Sequence, residues 1–460
     1  MEFNKSYNPK EFEKNIYQKW LDGDKFLPKK SETGKTFYIP MPPPNVTGNL
    51  HIGHSLTLAL EDIMVRYHRL KGDETLWIPG TDHAGISTQN VVEKKLSSQG
   101  ISRTEIGREK FISEVWKWKD EYHKNITDQI KLMGASCDWS KERFTLDEGL
   151  NKTVEYTFCD LYNKGLIYRG EYMVNFSPAL QTVVSDIEVV HKEEETNMYY
   201  ITYFVSGSDN ELIIATTRPE TLLADQAIAV NPKDKRYKKM IGRNVILPIV
   251  NKEIPIIGDD SVDKDFGTGV LKITPAHDPA DFQIAKKHNL KLDFSAIDRN
   301  GRMTREAGIF AGQDYITARQ NIVELLRSKG NLVKIEPYTH KVGYCERTGC
   351  KIETVVSTQW FVKSSEMVNK VIAGYKKKEF TIVPERYNKT LEDWIFNLRD
   401  WCISRQLWWG HQIPAYFDVN TGELVAVSED EQGVYDKYGK DNVKRDEDVL
   451  DTWFSSSLWP

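Results

Sequence analysis

The sequence predicts an α/β fold in which a parallel, nucleotide-binding sheet is interrupted by a β-rich block. Residues 37–78 read as a strand, an amphipathic helix and a second strand, a spacing that gives a parallel pair joined by a crossover. Near residue 190 the pattern changes to many short strands with turn signals, and the α/β pattern returns after about residue 342. One domain is therefore expected inside another.

Composition places the chain among soluble proteins and sets limits on its partners. The 460 residues are 40% hydrophobic and carry a net charge of −5, so any nucleic-acid contact must come from local patches. Five cysteines in so long a chain argue against a disulfide scaffold and favour a reducing cytoplasm. No apolar run is long enough for a membrane span, so no membrane partner is expected.

These changes in the sequence pattern predict four segments. We expect an N-terminal helical arm over residues 1–36, the first half of the nucleotide-binding domain over 37–190, an inserted domain over 191–342, and a return to the first domain over 343–460. The final letters FSSSLWP stop in mid-pattern after an apolar run. We therefore expect the sequence to be part of a longer chain.

The first strand–helix–strand unit is the best defined local prediction. A strand over residues 37–41 must end at the prolines that follow, because proline lacks the N–H that a sheet requires. A helix is predicted over 54–70 from a stripe of apolar side chains at helical spacing, and Gly72 is a natural stop. The stripe consists of Leu56, Leu60, Ile63, Met64, Tyr67 and Leu70.

The loop before this helix carries His51, Gly53 and His54. Residues three apart share a face of a helix, so both imidazoles can donate hydrogen bonds to one phosphate chain. The free N–H groups and the positive end of the helix favour the same anion. Gly53 has no side chain and would let a flat adenine lie against the backbone. We expect this site to stabilise the charge that builds on an α-phosphate under attack by a carboxylate.

A pair of histidines at this spacing is more often an ordinary helix cap than a ligand site. Its position after a strand and before a helix favours the phosphate site here. The surrounding motifs then make the interpretation specific: PMPPPNVTGNLHIGH, GTDHAGISTQNVVEK, TTRPETLLADQAIAV, GTGVLKITPAHDPADF, WCISRQLWWGHQIP and DVLDTWFSSSLWP. In this order they resemble the valine-specific branch of the class I aminoacyl-tRNA synthetases, whose signature is HIGH.

The resemblance implies a Rossmann-like catalytic domain with an inserted editing domain. It implies that L-valine is activated with ATP, accompanied by Mg²⁺, and is then joined to tRNA(Val). A monomer in the cytoplasm is expected. The family's lysine-rich KMSKS loop and its anticodon-binding domain have no counterpart in these residues. We therefore expect only part of the ATP site here, with very weak or no valine activation, and a better preserved editing activity.

The resemblance also assigns an amino-acid pocket. Its residues are Pro42, Pro43, Asn45, Asp82 and Trp459. Rigid prolines suit the wall of a small apolar cavity. Asp82 follows the second strand, where ligands of parallel sheets bind, and would pair with the α-ammonium of the substrate. Without the resemblance, Asp82 is equally well explained as a helix cap or Asx-turn, and Trp459 as a core aromatic.

An editing site is expected because a pocket for valine discriminates poorly against threonine, a limit for which valine-specific synthetases are the standard illustration. By resemblance it is lined by Arg218, Thr221, Lys272, Thr274, Asp278 and Asp281. The threonines would recognise the substrate hydroxyl and Asp278 its ammonium, while Asp281 would support the wall. Arg218 and Lys272 would bind the tRNA end or carboxylates of the pocket. The alternatives are a structural ion pair for Arg218 and a helix cap for HDPAD.

No zinc is expected. Some relatives bind zinc through two Cys-x-x-Cys pairs, but the first position here is Ser177-Pro178-Ala179-Leu180 and the second offers only Cys345 and Cys350. A structural zinc site needs four nitrogen or sulfur ligands.

Two other functions stay open at this point. One is a different adenylyl transferase that uses the same histidine loop, although it would not explain the inserted domain. The other is a non-catalytic tRNA-binding module, against which the intact loop and Asp82 argue.

Overall fold

The computed structural model describes residues 7–459, except for the side chains of Ser365 and Asn397. Residues 1–6 of the predicted arm therefore lie outside the described residues. The chain forms two compact units. The first unit comprises Met1–Tyr168, Glu366–Lys377 and Ile403–Pro460, and the second unit comprises Arg169–Ser365 and Lys378–Cys402.

Both helices and strands occur throughout the described chain. The α-helices are α1 (Pro9–Asp22), α2 (Ile52–Leu70), α3 (Gly85–Ser98), α4 (Arg103–Ile106), α5 (Arg108–Leu132), α6 (Glu148–Asn163), α7 (Pro279–Lys287), α8 (Tyr315–Ser328), α9 (Ser364–Lys376), α10 (Asn388–Asn397), α11 (Glu431–Tyr438) and α12 (Thr452–Ser456). The first ten strands are β1 (Thr36–Pro40), β2 (Glu74–Ile78), β3 (Gly80–Thr81), β4 (Arg143–Phe144), β5 (Ile167–Ser177), β6 (Thr182–Val184), β7 (Val189–Val205), β8 (Glu211–Thr216), β9 (Ala227–Val230) and β10 (Asn244–Ile246). The others are β11 (Glu253–Gly258), β12 (Val270–Ile273), β13 (Leu332–Cys345), β14 (Glu353–Val362), β15 (Trp401–Cys402), β16 (Ser404–Arg405), β17 (Ala415–Asp418), β18 (Leu424–Val427), β19 (Val443–Arg445) and β20 (Val449–Leu450). Among residues 7–459, none of the helices is long and apolar enough to span a membrane.

The first unit contains the predicted strand–helix–strand unit. β1 and β2 pair in parallel, with Thr36 opposite Glu74 and Pro40 opposite Ile78, and α2 connects them. The short strand β3 continues this line and pairs in parallel with β4. The predicted α/β class with a Rossmann-like parallel sheet is thereby confirmed.

The apolar stripe predicted on α2 identified the helix correctly but lies on its exposed face. Its six side chains are between 46% and 88% exposed. The helix buries Leu58, Glu61 and Val65 instead. Leu58 and Val65 pack in the same core cluster as Trp77 of β2, and the indole N–H of Trp77 donates to Glu61 Oε2 at 3.1 Å. Contacts with the sheet, rather than the number of apolar side chains, decide which face is inside.

The second unit is β-rich, as predicted. Its larger sheet runs in the order β12-β9-β11-β10-β7-β13, with β8 also paired to β7, and its smaller sheet runs β15-β14-β5-β6. Alternate side chains of the larger sheet and apolar side chains of α8 form one core cluster, for example Ile201, Ile214 and Ile322. β7 and β13 form a long antiparallel ribbon that continues to Val189 opposite Cys345.

The compact second unit is larger than the predicted insertion over residues 191–342. The ribbon of β7 and β13 passes both predicted borders, because its pairing begins at Val189 and ends at Cys345. The sheet formed by β5, β6, β14 and β15 also falls in this unit. The helix α1 of the predicted arm belongs to the first unit, where the buried Tyr17 donates to the carbonyl of Ala135 at 2.8 Å. Where the editing function begins and ends stays a prediction.

Replacing Trp77 by phenylalanine should destabilise the chain. The indole is fully buried and donates to Glu61, whose pKa is raised by burial and lowered by this hydrogen bond, with a net rise. Phenylalanine leaves a gap and a buried carboxyl without this donor, so we expect a loss of about 2–3 kcal/mol in unfolding free energy. Chemical denaturation measures it. Trp453→Phe, at a side chain that is 54% exposed, is the matched control and should change stability by less than about 0.5 kcal/mol.

Candidate active sites

His51 and His54 form a reciprocal cap at the beginning of α2. The ring nitrogen Nδ1 of His51 accepts the backbone N–H of Gly53 at 3.1 Å, and Nδ1 of His54 accepts the backbone N–H of His51 at 3.2 Å. The two rings lie with their centroids 3.9 Å apart. The cap interpretation is therefore correct as local structure, and it fixes the chemistry of both rings.

A nitrogen that accepts a backbone N–H carries no proton, so in the neutral rings the proton lies on Nε2. Both imidazoles then offer Nε2–H donors, as a phosphate site needs. Burial and the neighbouring His51 lower the pKa of His54, which keeps that ring neutral near pH 7. The cap and the predicted phosphate donors are compatible.

Gly53 is required by the ring of His51. A Cβ at this position would lie 2.9 Å from Cε1 and 3.0 Å from Nδ1 of His51. Any larger residue would push the imidazole away from its capping position. The glycine thus protects the cap itself, and the predicted adenine contact stays a prediction.

Asp82 is buried in the first unit, and its two carboxylate oxygens differ. Oδ1 accepts the backbone N–H of Ala84 at 3.1 Å and the hydroxyl of Thr145 at 2.9 Å, and it lies 3.1 Å from Nδ1 of His83. Oδ2 lies 3.3 Å from the Ser456 hydroxyl. Burial works to raise the pKa of Asp82, but the hydrogen bonds from His83, Ala84 and Thr145 outweigh it and hold the pKa below its ordinary value. Asp82 is therefore an anion in which Oδ1 has several hydrogen-bond donors, whereas Oδ2 has one long contact.

The predicted pocket wall lies near this carboxylate. Asn45 is bridged in parallel to Asp82, and the N–H of Asp82 donates to the carbonyl of Pro44 at 2.8 Å. Pro43 is half-buried, whereas Pro42 is exposed. The structure thus brings the proline loop and Asp82 together, at the carboxyl end of the strand as predicted.

Trp459 lies at the same strand end, in contact with Met41 and Gly80. Its indole N–H donates to the carbonyl of Met41 at 3.0 Å. Its ring packs so closely on Gly80 that a Cβ there would lie 2.3 Å from the indole. Gly80 stands two residues before Asp82, so the tryptophan is held beside the predicted pocket.

Lys272 is the centre of a polar network in the second unit. Its ammonium group donates to the hydroxyl of Thr221 at 2.9 Å and to that of Thr274, and it lies 3.4 Å from Oδ1 of Asp225. Asp225 also accepts the phenol of Tyr203 at 2.7 Å on its other oxygen. An ammonium has three protons, and all three are used within the network.

This network leaves the two threonine hydroxyls as acceptors. Thr221 donates its proton to the carbonyl of Arg218 at 2.9 Å, and Thr274 donates to Asp225 at 2.6 Å. Each oxygen also accepts from Lys272, which leaves one lone pair free on each. A ligand hydroxyl would therefore have to act as the donor.

Arg218 is engaged by carboxylates. It contacts Oε1 of Glu220 at 3.1 Å and Oε2 of Glu353 at 2.9 Å. Arg319 also binds the fully buried Glu220, with contacts of 2.7 and 2.8 Å. The ion-pair interpretation of Arg218 describes these contacts, and a role toward the tRNA end stays a prediction.

Asp278 and Asp281 occupy different environments. Asp278 is exposed and caps α7, with Oδ1 accepting the N–H groups of Ala280 at 2.8 Å and Asp281 at 3.1 Å. Asp281 is buried and accepts the backbone N–H of Thr274 at 2.8 Å. Asp281 therefore holds Thr274, the residue that follows β12, while Asp278 uses Oδ1 for the cap of α7.

The sequence interpretation missed several buried polar residues of the second unit. They are Tyr203, Glu220, Asp225 and His277, and with them it missed the half-buried Arg319 that binds Glu220. The signal for Asp225 was a lone carboxylate in the apolar segment LLADQAIAV, since a buried charge there requires a partner. His277 accepts the N–H of Ala296 at 2.9 Å, and its pKa is lowered well below the ordinary value by burial and then by Arg218 and Lys272. Nothing local in the sequence indicated those partners.

Cys350 and Ser177 mark the position at which some relatives are expected to bind zinc. The thiol of Cys350 lies 3.3 Å from the Ser177 hydroxyl and 3.1 Å from that of Thr348. Within residues 7–459, no group of three or more histidine, cysteine or acidic side chains is arranged to hold a metal ion.

Comparison with known proteins places the chain in a family. The family model described as "tRNA synthetases class I (I, L, M and V)" matches residues 15–460, so the chain belongs to this family. It is 51% identical over 454 residues to the valine–tRNA ligase of Pseudothermotoga lettingae, covering 99% of this chain and 52% of that protein. The ligases of Thermotoga maritima and Streptococcus agalactiae are 50% and 52% identical over the whole chain, covering 53% and 51% of their lengths.

The chain thus spans about half the length of the curated relatives it matches. Among solved structures, a ternary complex of LeuRS, tRNA and LeuAMS from Agrobacterium radiobacter aligns over 99% of this chain and 58% of its own, at 18% identity and a TM-score of 0.48.

The stability of the second unit should depend on pH through Asp281. Burial raises the pKa of this carboxyl from 3.8 to about 7, against the opposing effect of Lys272. The folded chain keeps a proton that the unfolded chain releases, so stability falls as pH rises between these values, by up to roughly 4 kcal/mol. Asp281→Asn should remove this slope in denaturation curves at pH 4, 5.5 and 7. Asp293→Asn, at an exposed carboxyl, should keep it, and an unchanged slope in Asp281→Asn would contradict the assignment.

Proposed function

We propose that this chain carries the valine-activating site of a valine–tRNA ligase, which uses ATP and then charges tRNA(Val). The observation that carries the proposal is the anionic, buried Asp82 with Oδ2 left for a ligand, beside the wall formed by Trp459 and the proline loop. Family membership and the names of the relatives support it.

In the first step, a carboxylate oxygen of valine attacks the α-phosphorus of ATP, which forms valyl-adenylate and releases pyrophosphate. Asp82 would bind the α-ammonium through Oδ2 and hold the carboxylate in line. The Nε2–H groups of His51 and His54, together with the N-terminus of α2, would stabilise the added charge on the phosphate. In the second step, a terminal ribose hydroxyl of the tRNA attacks the carbonyl and AMP leaves.

We further propose that the second unit hydrolyses Thr-tRNA(Val). The free acceptor lone pairs on Thr221 and Thr274 would take the proton of the threonine hydroxyl. A valine side chain presents a methyl group there and would leave buried acceptors unpaired, so it would be excluded. Asp278 would bind the ammonium, and an oriented water would attack the ester carbonyl and release the ribose hydroxyl.

Asp82→Asn should weaken the binding of a non-hydrolysable valyl-adenylate analogue. Three donors hold Oδ1, so the amide –NH₂ would occupy the position of Oδ2 and present protons to the ligand ammonium. We expect a loss of roughly 10- to 100-fold in affinity, measured by calorimetry on the 460-residue chain. Asp430→Asn, at the exposed cap of α11, is the matched control and should bind as the wild type does. Equal affinity of the Asp82 variant would contradict the ammonium site.

Asp278→Asn should slow the hydrolysis of Thr-tRNA(Val) by roughly 10- to 100-fold, because asparagine keeps the cap of α7 but loses the charge that would bind the ammonium. Release of threonine from charged tRNA measures the rate, and Asp278→Ala should be at least as slow. Asp314→Asn changes the equivalent cap of α8 and should hydrolyse normally. Unchanged rates in both Asp278 variants would rule out this role.

A further inference from the structure

Two buried histidines lie behind Asp82 and have no role in the chemistry described above. His83 and His411 are both fully buried in the first unit, although they are separated by more than 300 positions in the sequence. Their rings meet edge to face, with centroids 5.0 Å apart and planes at 89°. Buried imidazoles are tolerated where their protons have defined acceptors, so the proton positions can be worked out.

The proton of Thr145 determines the tautomer of His83. The Thr145 hydroxyl lies 2.9 Å from Oδ1 of Asp82, and an ionised carboxylate only accepts, so Thr145 must donate its proton there. Nδ1 of His83 lies 2.8 Å from the same hydroxyl and 3.1 Å from Oδ1 of Asp82. Since neither oxygen has a further proton to give, Nδ1 of His83 must be the donor.

The other nitrogen of His83 takes no part in these contacts. Nε2 of His83 is buried and has no hydrogen-bond partner within residues 7–459. Burial and then His83 lower the pKa of His411, the neighbouring ring, well below its ordinary value. Nδ1 is therefore the nitrogen through which His83 acts on Asp82.

The WWGH segment holds His83 in this position. The indole N–H of Trp409 donates to the carbonyl of His83 at 2.8 Å. The amide oxygen of Gln89 accepts the backbone N–H groups of Trp408 at 2.9 Å and Trp409 at 3.1 Å. His411, two residues further on, is anchored by Nδ1 at 2.7 Å from the amide oxygen of Asn151. The segment therefore fixes both the backbone and the ring edge of His83.

We propose that His83 is a positioning residue for the amino-acid ligand: His83 saturates Oδ1 of Asp82, so that Oδ2 alone faces the ligand ammonium. The WWGH segment with His411 holds His83 in this position. Oδ1 then has three donors, from Ala84, Thr145 and His83, the last sharing its Nδ1–H with the Thr145 hydroxyl at 2.8 Å, whereas Oδ2 has one long contact to Ser456. The inference rests on the proposed role of Asp82. It assigns a function to a motif that the resemblance left without one.

The test compares two probes that differ only in the group Asp82 would bind. One is the valyl-adenylate analogue, and the other is the same compound made from 3-methylbutanoate, which lacks the α-ammonium. Calorimetry on the 460-residue chain gives the ratio of the two affinities. His83→Leu removes the donor to Oδ1, whereas His83→Asn places an amide N–H near the position of Nδ1.

We expect the wild type to prefer the ammonium probe. His83→Leu should lose roughly tenfold of that preference, while its affinity for the probe without the ammonium stays unchanged. His83→Asn should recover most of the preference. Thr145→Val keeps the shape but removes the shared hydroxyl, and should reproduce the loss if His83→Leu does not fold. His191→Leu, at an exposed histidine, should behave as the wild type does.

Two results would overturn the inference while leaving the proposed function standing: a full preference retained in both His83→Leu and Thr145→Val, or an equal loss of affinity for both probes, which is a merely structural effect. A wild type that shows no preference for the ammonium probe would overturn the role of Asp82 itself, and the inference with it.

Discussion

The arrangement of the first unit depends on burying the carboxylate of Asp82. A buried anion is tolerated only where hydrogen bonds replace its water, and some of those bonds join Asp82 to distant parts of the chain. Its backbone is tied to the proline loop through Pro44, and its side chain to Thr145 and Ser456. Requirements of electrostatics thus bring together segments that lie up to 374 positions apart in the sequence.

The positions of protons also explain why the histidines of this chain differ in which ring nitrogen donates a hydrogen bond. His51 and His54 accept backbone N–H groups on Nδ1, which leaves Nε2 as the donor for the proposed phosphate contacts. His83 faces acceptors with Nδ1 and therefore donates inward. The second unit shows the same effect. The ammonium of Lys272 donates hydrogen bonds to two threonine hydroxyls, which remain acceptors for a ligand. In each case the proposed selectivity depends on which atoms retain a proton.

Local features were predictable from the sequence. The parallel pair of β1 and β2, the cap at His51 and the β-rich character of the second unit follow from spacing, proline and turn chemistry. The buried face of α2 was not predictable, because Trp77 and Glu61 decide it across the sheet. The hydrogen-bond partners of Asp82 and Lys272 could not be predicted from the sequence for the same reason, since these contacts join residues that only the fold brings together. The motif resemblance suggested the site residues, but it did not predict the direction of their hydrogen bonds.

The proton on His83 decides most directly whether Oδ1 of Asp82 is saturated. Two-dimensional ¹⁵N–¹H correlation spectra of the 460-residue chain, with ring-labelled histidine and a His83→Asn variant for assignment, show which ring nitrogen carries hydrogen. We expect Nδ1 of His83 to carry hydrogen. A ring with hydrogen on Nε2 alone would contradict the saturated carboxylate, because Oδ1 of Asp82 would then lack its third donor.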